Sequence, residues 1–316
     1  MDRIQAFIPE VRSAYEESRR RMGAFAEALR GQGYAYLHKA NPIETEEGGK
    51  NRICYLLPYW LREQCGLDEE TCREMAVGNI FLMLYFFIQD DIMDTADPNA
   101  CRALPLANLC HGEFHRAYSR LFPGDSTFWD HYRAYLAEWA LSVATEAEAD
   151  FFAADPLRLA GKSAPLKLCS TAALLLADQE DNIPRVSRLV EGALVALQMA
   201  DDWADWASDL AEGSYNSLLS HYRSAVGWPS DSPIQEERVR DFLYIDEGLG
   251  TYSAAAERLY EPEAYRGLRL GHLQAFHESL LANLREGAAE IAAAKRQLER
   301  GGLHYWLSRA SQTKPD

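Results

Sequence analysis

Apolar residues recur along this chain at three- and four-residue spacing, and alternating β-branched runs are nearly absent. Ala, Leu, Glu and Arg are abundant, so the pattern predicts helices almost throughout. The spacing places them over 4–31, 51–65, 68–93, 101–120, 127–150, 157–177, 184–211, 235–245, 250–260, 270–299 and 302–311. The breaks carry turn chemistry: Asn41-Pro42 through Gly49, Pro98-Asn99, Phe122-Pro123-Gly124-Asp125, Pro184, and Gly227-Trp228-Pro229-Ser230-Asp231. No low-complexity linker and no repeat of fixed period divides the series. Residues 1–316 are therefore expected to form one all-α domain.

Two helices end in acid. The run Ile80, Phe81, Leu82, Leu84, Tyr85, Phe86, Phe87 leads into Gln89-Asp90-Asp91-Ile92-Met93-Asp94. The run Leu189-Val190 through Leu194, Val195 and Leu197 leads into Asp201-Asp202-Trp203-Ala204-Asp205 and on to Asp209. Asp90 and Asp94 share a helix face, and Asp201, Asp205 and Asp209 repeat that spacing. Stacked carboxylates repel, and carboxylates at the end of a buried helix need a partner. An all-oxygen set of this kind suits Mg²⁺, which keeps waters and recruits substrate phosphates. The pattern thus points to two acidic faces turned to each other across cations, gripping a diphosphate.

The net charge of −16 argues against nucleic acid as a partner and weakly against docking on anionic lipid. The apolar run Ile80 to Ile88 is too short to span a bilayer, and the charged amino terminus is no signal peptide. The six cysteines form no Cys-x-x-Cys pair and read as reduced, structural residues of a cytoplasmic protein. The eight histidines occur in no Glu-x-x-His, which counts against a di-iron carboxylate bundle.

Phe87-Ile88-Gln89-Asp90-Asp91-Ile92-Met93-Asp94 resembles the first aspartate-rich motif of trans-isoprenyl diphosphate synthases. Gln198-Met199-Ala200-Asp201-Asp202-x-x-Asp205 resembles their second, and Gly161-Lys162-Ser163-Ala164 their Lys-Thr diphosphate-binding element. Gly48-Gly49-Lys50-Asn51-Arg52 resembles the segment that holds isopentenyl diphosphate, and order and spacing agree across residues 48 to 216. The departures fall on the second substrate. Only Arg102 follows the first motif in place of a double arginine, Met83 stands where a histidine is expected, and either Ile53 replaces an arginine or the register has slipped. A scaffold that keeps its ionisation machinery and loses the homoallylic site resembles the prenyl-synthase-like branch of bacterial class I terpene synthases.

That resemblance implies an isoprenoid synthase-like helical bundle around a central cavity. It implies Mg²⁺ ions, a pair on Asp90 and Asp94 with Asp91 as an outer or alternative ligand. One more would sit on Asp201, Asp205 and Asp209, with Asp202 outside it. Lys162, Lys50 and Arg52 would bind diphosphate oxygens. The substrate would be a linear prenyl diphosphate of C10 to C20, C15 above all, because Tyr85 and Phe86 would close the pocket floor. Met83, Phe87 and Gln198 would also line that pocket, with Phe81, Trp139, Trp203 and Trp206 as further wall candidates. Tyr305 and Arg309 share a helix face and could close the site from the carboxy terminus. A homodimer is implied, and prenyl transfer, to isopentenyl diphosphate or to another acceptor, is the alternative activity.

Overall fold

The computed structural model describes residues 5–45, 50–95, 97–146, 150–229 and 232–310, and the side chains of these except for residue 5 and residues 300–310. The chain is 82% helical, with no strand among the described residues, which makes the fold all-α as the spacing predicts. The helices are α1 (Ile8–Met22), α2 (Glu27–Ala40), α3 (Arg52–Cys65), α4 (Glu69–Asp94), α5 (Leu104–Leu121), α6 (Phe128–Ala144) and α7 (Phe151–Ala154). They continue with α8 (Lys167–Leu176), α9 (Ile183–Glu212), α10 (Ser217–Val226), α11 (Glu236–Tyr244), α12 (Gly248–Leu259) and α13 (Gly271–Ala310). Several boundaries differ from the sequence expectation. The first helix breaks after Met22 at Gly23 and resumes at Glu27, and a 3₁₀ segment, Pro156–Leu166, precedes α8. Helix α10 forms where none was expected. The glycines Gly301 and Gly302 do not interrupt α13, since glycine weakens a helix by about 1 kcal/mol without forbidding it.

Contacts divide the chain into two compact units, each assembled from three stretches. Unit 1 holds residues 1–136, 165–187 and 267–271; unit 2 holds 137–164, 188–266 and 272–316.

Unit 1 is organised on α4, which packs against α5, α3 and α1. The Asp68 side chain caps α4 by accepting from the Thr71 amide at 2.7 Å, and Glu69 and Glu70 suit the positive end of the helix. From Met75 to Leu84 every residue is buried. Among the described residues α4 alone is long and apolar enough to cross a membrane by length and composition. Its one polar interior residue, Asn79, is satisfied on both sides. It donates to the Cys54 carbonyl at 3.1 Å and accepts from the Tyr118 hydroxyl at 2.6 Å, tying α3, α4 and α5 together. Gly78 allows the close approach, since a Cβ there would lie 2.8 Å from the Tyr118 ring. The cysteines are all free thiols, and burial pushes Cys54, Cys65 and Cys110 up to about 12.

In unit 2, Gly287 of α13 lies directly under the Trp203 ring of α9, where a Cβ would meet the ring at 2.0 Å. A second contact sets Gly192 of α9 against His277 of α13. His277 is 2% exposed, and burial holds its imidazole down to about 4, partly offset by Glu278. The folded state therefore binds this proton less readily than the unfolded chain, whose value is near 6.5. The contribution of His277 to stability should be intact above about pH 6.5. About 3 kcal/mol of it should be lost as pH falls toward 4. Urea unfolding as a function of pH checks this: His277→Phe should flatten that part of the profile, and an unchanged slope would exclude His277 as its source.

Candidate functional site

The first aspartate motif occupies the last turns of α4. Asp90, Asp91 and Asp94 are all exposed, and no basic residue stands in the last turn to offset the negative end of the helix. Within unit 1, a cleft of about 200 Å³ brings Asp90, Asp91 and Phe87 together with Tyr36, Lys39 and Ala40 of α2 and Asn51, the residue before α3. Tyr36 donates its hydroxyl to Asp91 Oδ2 at 2.7 Å; burial and this carboxylate raise the phenol to about 12. Lys50 and Arg52 flank Asn51, so the amino-terminal end of α3, which favours anions, opens at the same cleft. Gly48 and Gly49 lie outside the described residues.

Tyr36 and Lys39 were not singled out in the sequence. Helix α2 buries only Gly33, Leu37 and Ala40 and is too weakly patterned to announce itself. The spacing of Tyr36, Lys39 and Ala40, three and four apart, is the signal that could have found them.

The wall residues diverge. Met83 is buried in α4, whereas Tyr85, Phe86 and Phe87 are half-buried. Tyr85 stacks on His111 with ring centroids 4.6 Å apart, and His111 Nε2 lies 2.5 Å from the Tyr132 hydroxyl. Desolvation lowers both His111 and His115, so this aromatic cluster favours neutral imidazoles.

The second motif lies in unit 2 on α9, where neighbouring acids have different surroundings. Asp202 is 4% exposed. Its Oδ1 accepts from Gln198 Nε2 at 2.7 Å, and its Oδ2 accepts from the Ser217 amide at 2.7 Å and from the Ser217 hydroxyl. Ser217 Oγ is also 2.6 Å from the Tyr252 hydroxyl, which donates to the Met199 carbonyl. Burial raises Asp202 while these hydrogen bonds oppose the rise. Asp202, Ser217 and Tyr252 thus form a buried polar joint between α9, α10 and α12, with Gln198 bracing the carboxylate from α9.

Asp201, Asp205 and Asp209 follow a different face. Asp205 is exposed, and Asp201 and Asp209 are half-buried. Asn216, the cap of α10, donates to Asp209 Oδ2 at 2.7 Å and to the Asp202 carbonyl at 2.8 Å. Asp209 is raised by burial first and then by the charges of Asp205 and Glu212, against the lowering effects of Asn216 and Lys162. Lys162 pairs with Glu146 and is close enough for its charge to act on Asp209. Asn216, Ser217 and Tyr252 were not anticipated, although Asn216 before Ser217-Leu218-Leu219 carries a capping signature.

Among the described residues no three His, Cys, Asp or Glu side chains converge closely enough to hold a metal ion by themselves. The side chains of Tyr305 and Arg309 lie outside the described residues. Comparison with protein-family models, curated proteins and solved structures finds no match for this chain.

Proposed function

We propose that this protein is a Mg²⁺-dependent class I terpene synthase. It would ionise a linear prenyl diphosphate and release pyrophosphate with a terpene hydrocarbon or alcohol. The observation that carries the reading is the cleft at the end of α4, where Asp90 and Asp91 meet Lys39 and the amino-terminal end of α3. Opposite charges gathered around a small opening suit a diphosphate whose oxygens are shared between a cation and a lysine.

The donor set fits Mg²⁺. Every candidate ligand is a carboxylate oxygen, and Asp94 and Asp205 are exposed and accept no side-chain hydrogen bond among the described residues. A magnesium ion commonly takes only one or two carboxylates and completes its shell with water and substrate phosphate, so a closed protein cage is not required. On this reading Asp90 and Asp94, with Asp91 beside them, hold metal at the first motif. Asp201, Asp205 and Asp209 hold it at the second. Bound Mg²⁺ would neutralise the charge that develops on the leaving diphosphate. Lys162, Lys50 and Arg52 would orient diphosphate oxygens, and Asp202 ties α9 to α10 through Ser217. Tyr85, Phe86 and Phe87 belong to the walls of a dry cavity that shields the allylic cation from water. We also place the protein in the cytoplasm as a homodimer, a location that suits its free thiols, of which Cys101 is exposed.

Prenyl transfer is the second reading. Its support is that Asn51, within the segment resembling the isopentenyl diphosphate site, lines the same cleft. One assay separates the two. The purified protein is incubated with Mg²⁺ and geranyl, farnesyl or geranylgeranyl diphosphate, each with and without isopentenyl diphosphate, and the products are read by gas chromatography and mass spectrometry. A volatile terpene formed without isopentenyl diphosphate is expected. Longer diphosphates formed only in its presence would replace the first reading with the second, and no product under any condition would sink both.

A further inference from the structure

Unit 2 contains a second cavity, of about 170 Å³, that shares no residue with either aspartate motif. Five elements build it: the 3₁₀ segment Pro156–Leu166, the start of α9, the end of α12, the 3₁₀ turn Pro262–Tyr265, and α13. Its buried end is His277. The Tyr265 hydroxyl lies 3.4 Å from Nδ1, and Nε2 is buried without a hydrogen-bond partner. In the tautomer that accepts the Tyr265 hydroxyl at Nδ1, the ring proton sits on Nε2 as a donor with nothing to receive it. Buried donors in that condition are rare in folded proteins and point to a missing acceptor.

The charges at the mouth define which acceptor. Arg188 is already engaged, donating to Glu261 Oε1 from two nitrogens at 3.2 and 2.9 Å. Arg258, in the last turn of α12, makes no hydrogen bond or ion pair among the described residues. One guanidinium is therefore available beside one carboxylate already matched, which suits a single negative charge and disfavours a dianion next to Glu261. Leu157, Leu189 and Leu259 supply the remaining wall, and Gly192 keeps the space beside the His277 ring open. The volume is below that of pockets for drug-sized ligands, about 300 Å³ and upward.

We propose that this cavity is a binding site for a small monocarboxylate. Its carboxylate would accept from His277 Nε2 and pair with Arg258, and its apolar tail would rest on the three leucines. The site is independent of the catalytic reading, because it uses none of the residues assigned there.

Benzoate and its neutral isostere benzamide are the probes. Long-range proton–nitrogen correlation spectra of the full chain at neutral pH report the His277 imidazole nitrogens directly. Benzoate is expected to shift the Nε2 signal saturably, and benzamide to leave it in place. Arg258→Gln alters an exposed side chain and should keep the fold, checked by circular dichroism, while weakening benzoate by about tenfold or more. The proposal is overturned if benzoate produces no saturable shift or if benzamide produces an equal one. Undiminished benzoate binding by Arg258→Gln would overturn it too, as would inorganic phosphate competing as the better ligand.

Discussion

Under the proposed function, Asp90→Ala is expected to lower turnover of a prenyl diphosphate by at least about a hundredfold, the scale set by removing one group that stabilises transition-state charge. It should do so without destabilising the protein. Asp90 is exposed, and it stands with Asp91 and Asp94 at the negative end of α4, with no basic residue in that last turn. Acid in this place works against the helix dipole and an exposed partner contact contributes little, so removing one carboxylate should change stability by less than about 1 kcal/mol. The combination distinguishes a working carboxylate from a structural one. Steady-state kinetics at saturating Mg²⁺ and urea unfolding of the same preparation supply both numbers. Turnover within about threefold of the parent would remove Asp90 from the site.

Asp202→Ala should show the opposite pairing, a loss of stability of about 3–5 kcal/mol. The substitution strips an acceptor from the Ser217 amide, the Ser217 hydroxyl and Gln198, all at or near the buried joint of α9, α10 and α12. A buried amide left without a partner carries its full desolvation penalty, whereas the serine hydroxyl can still turn to Tyr252. Asp205→Ala, three residues away and exposed, is the control and should change stability by less than about 0.5 kcal/mol. Chemical denaturation of the three proteins makes the comparison. Equal midpoints for Asp202→Ala and Asp205→Ala would show that the joint contributes nothing.

The division of labour on α9 was partly legible beforehand. Asp201, Asp205 and Asp209 recur every four residues, and so do Gln198, Asp202 and Trp206, of which Asp202 and Trp206 are buried. Helical period separates these two series, and the apolar company of Trp206 marks the inward one. The partners of Asp202 were not legible in the same way. Ser217 and Tyr252 lie far along the chain, and only packing brings them to one carboxylate. Local signals also set the limits on the helices. Asp68 ahead of Glu69-Glu70 announces α4 plainly. The break after Met22 rests on Gly23 without a proline, and α10 is ten residues long behind the turn at Gly213. Short elements with one weak boundary are stabilised by their neighbours, so sequence periodicity alone under-reads them.

The interleaving of the two units bears on synthesis. Unit 1 closes only when residues 267–271 have joined residues 1–136 and 165–187. A ribosome exposing the chain from its amino terminus must therefore deliver most of the residues of unit 2 before residues 267–271 complete unit 1. Helix α8, which packs on α3, arrives only with residues 165–187, well after α1 to α5 have emerged. Vectorial folding, one unit after another, is closed to this chain. Until unit 1 closes, the nascent polypeptide carries exposed apolar surface, the condition under which chaperones act.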